Sequence, residues 1–400
     1  MMKLNFAAAL LAALVWAGGC GEKDRGGPYL QPGGTSLPPP AQTLGGLVEQ
    51  LGHEHFKVRV GAAFGLGKLR DPAAVQALAK ALGDDRKEVR VEAAVALGKI
   101  GDPSAVDALA GALGDAKAEV RAAAAAALAR IGGEPATATL LRALRKEDTR
   151  LCAVRALGDL GEARAVDALV GMLGNPDLWV RADAAQALGM IGRPEALESL
   201  VKALREDPSI RSEAAIALGE LADVRAEEAL LPFAGDEDAE TREAVARALA
   251  RIAGPKSLDV LRKLGSDPEH GIRVWAGLGL WKLAADEGGK RVVLEAAGHE
   301  IPDVRAQSAL ALGDLGDDKA LAILKSLIED RDVVTRENAV AALQRRGGAQ
   351  ARVLLLDALR DRETCVRARA ARALRKLTGR DFGENRAKWK AWLEEQGEKK

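Results

Sequence analysis

The sequence predicts an all-α solenoid of about eleven helical hairpins, and three observations predict it. An arginine inside a Val-Arg-x-x-Ala-Ala-x-Ala-Leu-Gly phrase, or a variant of it, returns every 29 to 32 residues, at Arg59, Arg90, Arg121, Arg150, Arg181, Arg211, Arg242, Arg273, Arg305, Arg336 and Arg367. Apolar residues at helical spacing flank each arginine, and β alternation is absent. Self-similarity at a fixed period of this length marks a tandem array, in which a unit buries its apolar face only by stacking on its neighbours.

The first helix of a unit is read from apolar residues fifteen, twelve and eight positions before the arginine, as in Leu44, Leu47 and Leu51 or Val75, Leu78 and Leu82. The second follows from leucine seven positions after it (Leu66, Leu97, Leu128, Leu157, Leu188, Leu218), with leucine or isoleucine usually at ten. Gly101-Asp102-Pro103 separates two units as a stop and a start: glycine accepts a left-handed C-terminal conformation, aspartate caps, and proline suits the first helical position. Small residues at the third, fourth and sixth positions, such as Ala93, Ala94 and Ala96, let neighbouring second helices approach closely. Six positions before the arginine stands Asp84, Asp115, Asn175, Asp236, Asp267, Asp330 or Asp361, so an Asp-to-Arg ladder along the loops is expected.

This pattern resembles the short HEAT repeat of the phycobilin-lyase-like class, over Leu44 to Leu377. The resemblance implies a right-handed α-solenoid with the second helices on its concave side, and a stacking role for the Arg and Asp residues. Residues 44–379 are assigned to the solenoid and 380–400 to a C-terminal capping helix, where Phe382, Trp389 and Trp392 are expected to cover the stripe left open by the last repeat.

The N-terminus reads as an export signal over residues 1–19: Lys3 is the basic region, Leu4 to Trp16 an apolar run shorter than the ~20 residues of a membrane span, and small residues precede Cys20. Ala17-Gly18-Gly19-Cys20 resembles a bacterial lipoprotein lipobox, which implies cleavage before Cys20 and its acylation. Gly21 after the cysteine, by resemblance to lipoprotein sorting, favours the outer membrane or the periplasmic face. Residues 20–43 are Gly/Pro-rich and are expected to form a flexible tether. Cys152 and Cys365 fall in repeats four and eleven, too far apart to bridge.

Composition narrows the partners. The chain carries 58 basic and 58 acidic residues, so no global field favours nucleic acid. Aromatics are 3% of the chain. No catalytic elbow, phosphate loop or Cys-x-x-Cys is present, and no catalytic, cofactor or metal residue and no small-molecule substrate is expected. His53-Glu54 and His299-Glu300 resemble the His-Glu motifs of deoxyhypusine hydroxylases, HEAT-type proteins with a di-iron site. Seven repeats separate the two pairs, and both histidines occupy the slot that elsewhere holds the ladder aspartate.

Recognition is placed on positions two, five and nine after the arginine, which share one face of the second helix. Trp275, Leu278 and Lys282 of repeat eight, with Leu310 next to them, form an expected aromatic hot spot. Trp281, in a slot that is normally small, is expected to fill the core. Arg345, Arg369, Arg372 and Lys376 form a second, cationic patch suited to an acidic partner segment. The sequence thus points to a lipid-anchored, non-catalytic scaffold that binds a protein and meets the membrane through its anchor alone. A HEAT-type enzyme resembling deoxyhypusine hydroxylase or phycobilin lyase is the alternative, and a structural spacer the third.

Overall fold

A computed structural model describes residue 41 and residues 43–397. The expected signal peptide, Cys20 and nearly all of the tether lie outside the described residues. The chain divides into two compact units between Ala196 and Leu197.

The first unit contains α1 (Leu44–Gln50), α2 (Phe56–Leu69), α3 (Val75–Ala81), α4 (Lys87–Ile100), α5 (Val106–Ala112), α6 (Ala118–Ile131), α7 (Gly133–Ala143), α8 (Glu147–Leu160), α9 (Val166–Met172) and α10 (Leu178–Ile191). The second contains α11 (Leu197–Glu206), α12 (Arg211–Leu221), α13 (Glu227–Leu230), α14 (Ala239–Ile252), α15 (Leu258–Leu264), α16 (His270–Ala284), α17 (Glu287–Ala296), α18 (Pro302–Leu315), α19 (Asp318–Leu327), α20 (Val333–Arg346), α21 (Gly348–Ala358), α22 (Thr364–Thr378) and α23 (Arg386–Glu395). No strand occurs among the described residues. Each unit is a stack of helical hairpins in an all-α solenoid fold, odd numbers up to α21 being first helices and even numbers second helices.

Punctuation follows backbone chemistry. Asp71 and Asp102 accept the N–H two residues ahead, with Pro72 and Pro103 opening the single 3-10 turn that leads into each first helix. Most second helices end on a left-handed residue, which is glycine at Gly101, Gly161, Gly192, Gly316 and Gly379. Arg70, Ala222, Ala253 and Ala285 take the same conformation, at φ 50 to 55°, without glycine's freedom.

Leu66, Leu97, Leu128, Leu157 and Leu188 of the second helices are fully buried, as are Leu78, Leu109 and Leu169 of the first helices. Burying each contributes about 1.5–3 kcal/mol. Within each unit the second helices pack closely on one another, whereas successive first helices hardly touch. That asymmetry bends each stack with its second helices on the inner side. The small residues of the repeated phrase are what permit it. A Cβ on Gly98 would stand 2.8 Å from the Ala127 Cα, and one on Gly313 equally close to that of Ala342.

Candidate binding surface

Around the loops the ladder is built as the spacing predicts wherever an acid fills the slot, and that acid has two roles. Arg90 grips Asp115 of the following repeat through Nε and Nη2, at 2.7 and 3.0 Å, and its Nη1 donates to the Asp84 carbonyl of its own loop at 2.9 Å. Arg59–Asp84, Arg242–Asp267, Arg305–Asp330 and Arg336–Asp361 repeat the two-point grip. The slot residue also accepts a backbone N–H two positions on, as Asp115 does from Lys117 at 2.7 Å. The Arg90 hydrogen bond holds Asp115 below the usual carboxylate range. Where no acid occupies the slot, Arg121 turns its Nε to the Asp148 carbonyl at 2.9 Å.

His53 and His299 take over the second of these roles. The Nδ1 of His53 accepts from the His55 N–H at 3.0 Å, and that of His299 from the Ile301 N–H at 3.1 Å. Imidazole cannot supply the grip of a carboxylate, and Arg273, facing the loop of His299, keeps only its own-loop carbonyls, Asp267 and Pro268. The His299 ring packs instead on His270, 4.7 Å between centroids. Among the described residues no three His, Cys, Asp or Glu side chains gather as a metal site. Cys152 donates to the Thr149 carbonyl at 3.0 Å, and burial pushes its thiol up to about 11, which makes it a poor nucleophile.

The hot spot expected at Trp275 and Leu278 is closed. Both side chains are 0% exposed. Trp275 donates from Nε1 to Gln307 at 2.9 Å, Gln307 donates to Glu243 at 2.5 Å, and the Arg247 guanidinium lies 5.4 Å from the Trp275 ring centre. Glu243 and Gln307 belong to helices two repeats apart, α14 and α18. The inner side of the bend brings them together over α16, and a register read from single repeats does not contain that curvature. Trp281, expected in the core, is half-buried under the Lys290 ammonium at 4.3 Å. Lys282 is exposed and donates to the Ala250 carbonyl at 3.2 Å, while Leu310 is half-buried. In the second patch Arg345, Arg372 and Lys376 are exposed, and Arg369 is half-buried with Glu337 at 3.8 Å.

Exposed bulk on the second helices stands instead at Phe64, Leu69, Trp179 and Met190 of the first unit and at Val334 of the second. Trp179 is 41% exposed and Met190 51%, and with Asp183 and Gln186 they form one line along α10. Phe64 of α2, 47% exposed, stands between Lys68 and Lys99, whose ammonium groups lie 5.7 and 4.9 Å from its ring centre. Positions 179 and 190 are eleven apart, three helical turns, so extending the five-and-nine stripe one turn toward the helix start would have found Trp179.

The HEAT repeats family matches residues 44–129, 103–152, 137–210, 203–281, 266–343 and 290–375. Deoxyhypusine hydroxylase of Neurospora crassa is 28% identical over 247 residues, 50% of this chain and 75% of that one. Two solved structures are similar at lower identity. The complex of CpcE and CpcF of phycocyanin lyase from Nostoc sp. PCC7120 is 20% identical with a TM-score of 0.33, covering 84% of this chain and 96% of its own. A structure describing Kap95p binding to RanGDP is 14% identical with a TM-score of 0.48, covering 83% and 56%. With the family matching from Leu44 into α22, and the ladder built in both units, this chain belongs to the HEAT-repeat family.

Proposed function

We propose that this protein is a lipid-anchored, non-catalytic scaffold that holds a protein partner on the second-helix face of its repeats. The observation that supports it is the exposed line of α10. In a chain with 3% aromatics, Trp179 and Met190 stand uncovered on the face where Ala123, Ala126 and Cys152 are small. A flat aromatic next to an adaptable thioether is the composition of a binding hot spot. The anchor reading rests on the Ala17-Gly18-Gly19-Cys20 resemblance.

A photo-crosslinking residue at Gln186, compared with one at Lys80 on the first helix α3, tests the reading in cells expressing the full chain. A defined crosslinked polypeptide from Gln186, absent from Lys80 and lost with Trp179→Ala, is expected. Equal products from both positions, or none, would overturn it. Cys20→Ser should release the protein from the membrane fraction, and unchanged detergent partitioning would sink the anchor.

The enzymatic alternative draws on the 28% identity to a deoxyhypusine hydroxylase and on the pairs His53-Glu54 and His299-Glu300. Both histidines accept a backbone N–H at Nδ1, which puts the ring proton on Nε2, so ligating a metal through Nε2 requires that this hydrogen bond break first. Stoichiometric iron in the purified protein, lost with His299→Ala, would favour that reading over the scaffold.

A further inference from the structure

Position nine after each arginine lies in the last turn of the second helix, and in the second unit it reads Glu220, Arg251, Lys282, Asp314, Arg345 and Lys376. These side chains meet across repeats. Glu220 pairs with Arg251 and accepts from Arg247 at 3.1 Å. Asp314 lies 3.5 Å from Arg251, two repeats away, and 3.4 Å from Arg345. Arg251 and Asp314 are 8% and 10% exposed, yet Arg251 Nε and Asp314 Oδ2 make no hydrogen bond, and neither does the buried Nε of Arg247. Buried charges in such a state are under-satisfied.

Helix dipoles favour a cation in the last turn of any helix. They do not require cations from different helices to converge. Here they do: burial, and then the neighbouring Arg251, depress the basicity of Arg247, and Arg251 and Arg345 also oppose the charge of Lys282. Two carboxylates, Glu220 and Asp314, neutralise part of this crowd, and Lys376 at the end of the row has no ion-pair partner among the described residues.

Resting on the scaffold reading, we infer that this row is a docking track for an acidic segment of the partner, with Asp314 as an internal stand-in for one of its carboxylates. Four of the six second helices, α14, α16, α20 and α22, place a basic side chain in this row, which suits an extended chain crossing the helices with its carboxylates meeting those cations. Asp314 bridges Arg251 and Arg345 as a partner's carboxylate would, and it competes with that ligand for both.

Fluorescein-labelled octaglutamate tests this on the full chain. Binding is expected to fall with added salt, Lys376→Glu should weaken it about fivefold or more, and Asp314→Asn should strengthen it. Lys376 is exposed, so its reversal leaves the fold intact even if Asp314→Asn melts early. Lys202→Glu, on the first helix α11, should leave binding unchanged. No octaglutamate binding, equal loss with Lys202→Glu, or capture of phosphatidylglycerol vesicles without octaglutamate would overturn the inference. The Gln186 crosslink reads the other unit, so a partner crosslinked there with no octaglutamate binding sinks this inference alone.

Discussion

Arg336 holds Asp361 of the next repeat through Nε and Nη2 at 2.7 and 3.1 Å, while its Nη1 donates to the Asp330 and Arg331 carbonyls of its own loop. One side chain thereby fixes a loop and staples it to its neighbour. The pair is 4% and 6% exposed, so removing one partner strands a buried charge. Arg336→Ala is expected to cost about 3–5 kcal/mol in denaturant melts, and Arg336→Lys, which keeps the charge but not the fork, to recover only part. A change within about 0.5 kcal/mol would show a solvated arginine.

Acid should dismantle the ladder. The Arg90 hydrogen bond lowers Asp115; in Asp84, Asp267 and Asp330 burial pushes upward, and the arginine and backbone hydrogen bonds outweigh it. Each folded value lies below the ordinary 3.8, so their contribution is complete above the unfolded value and is lost as pH falls through the folded ones. Melts between about pH 5 and pH 2 should show stability declining steeply, and a flat profile would contradict the ladder.

The ladder was legible because both partners recur at fixed offsets from one arginine, and the helices because leucine and alanine keep the period. Trp275 was not. Its burial depends on Glu243, Gln307 and Arg247, which reach it from three other points in the sequence through the bend of the stack. Likewise Gly101 and Gly316 announce helix ends, but Ala222 and Ala253 reach the same left-handed turn without the residue that signals it. Trp179 is hidden in the sequence because it stands one turn before the stripe of positions two, five and nine.

Glu243 should tune stability near neutrality. Burial raises it from 4.5 to about 7, against the pull of Arg247 and with help from Glu240. Between those values the folded state binds a proton that the unfolded chain releases, so stability falls as pH rises through the window. Glu243→Gln should flatten that slope while preserving a partner for Gln307. An unchanged slope in melts from about pH 5 to pH 8 would refute this assignment.

Ala222 closes α12 at φ 52° on an exposed position. An L-residue there costs about 1–2 kcal/mol, and glycine's extra freedom in the unfolded chain returns roughly 0.4–1 of the relief. Ala222→Gly should therefore stabilise by about 0.5 kcal/mol in melts. A loss of stability would mean the Cβ makes a contact worth more than the strain.

The C-terminal segment replaces a twelfth repeat. Trp389 and Leu393 of α23 are buried, and Trp389 donates to the Gly383 carbonyl at 2.7 Å with Phe382 at its ring edge, 4.8 Å between centroids. Glu384 gives Arg367 the carboxylate that a further repeat would have supplied, at 3.0 Å, and Arg386 reaches Asp357 of α21 at 3.6 Å. The segment thus ends both the apolar stack and the ladder. Deleting residues 380–400 uncovers the last hairpin and leaves Arg367 without Glu384, so the truncated protein should associate in light scattering while the full chain under the same conditions does not. Glu384→Gln separates the two effects: it should lower stability through the ladder end with no association, because Trp389 still covers the apolar face. A truncated chain that scatters like the full one would mean that α23 packs without protecting anything.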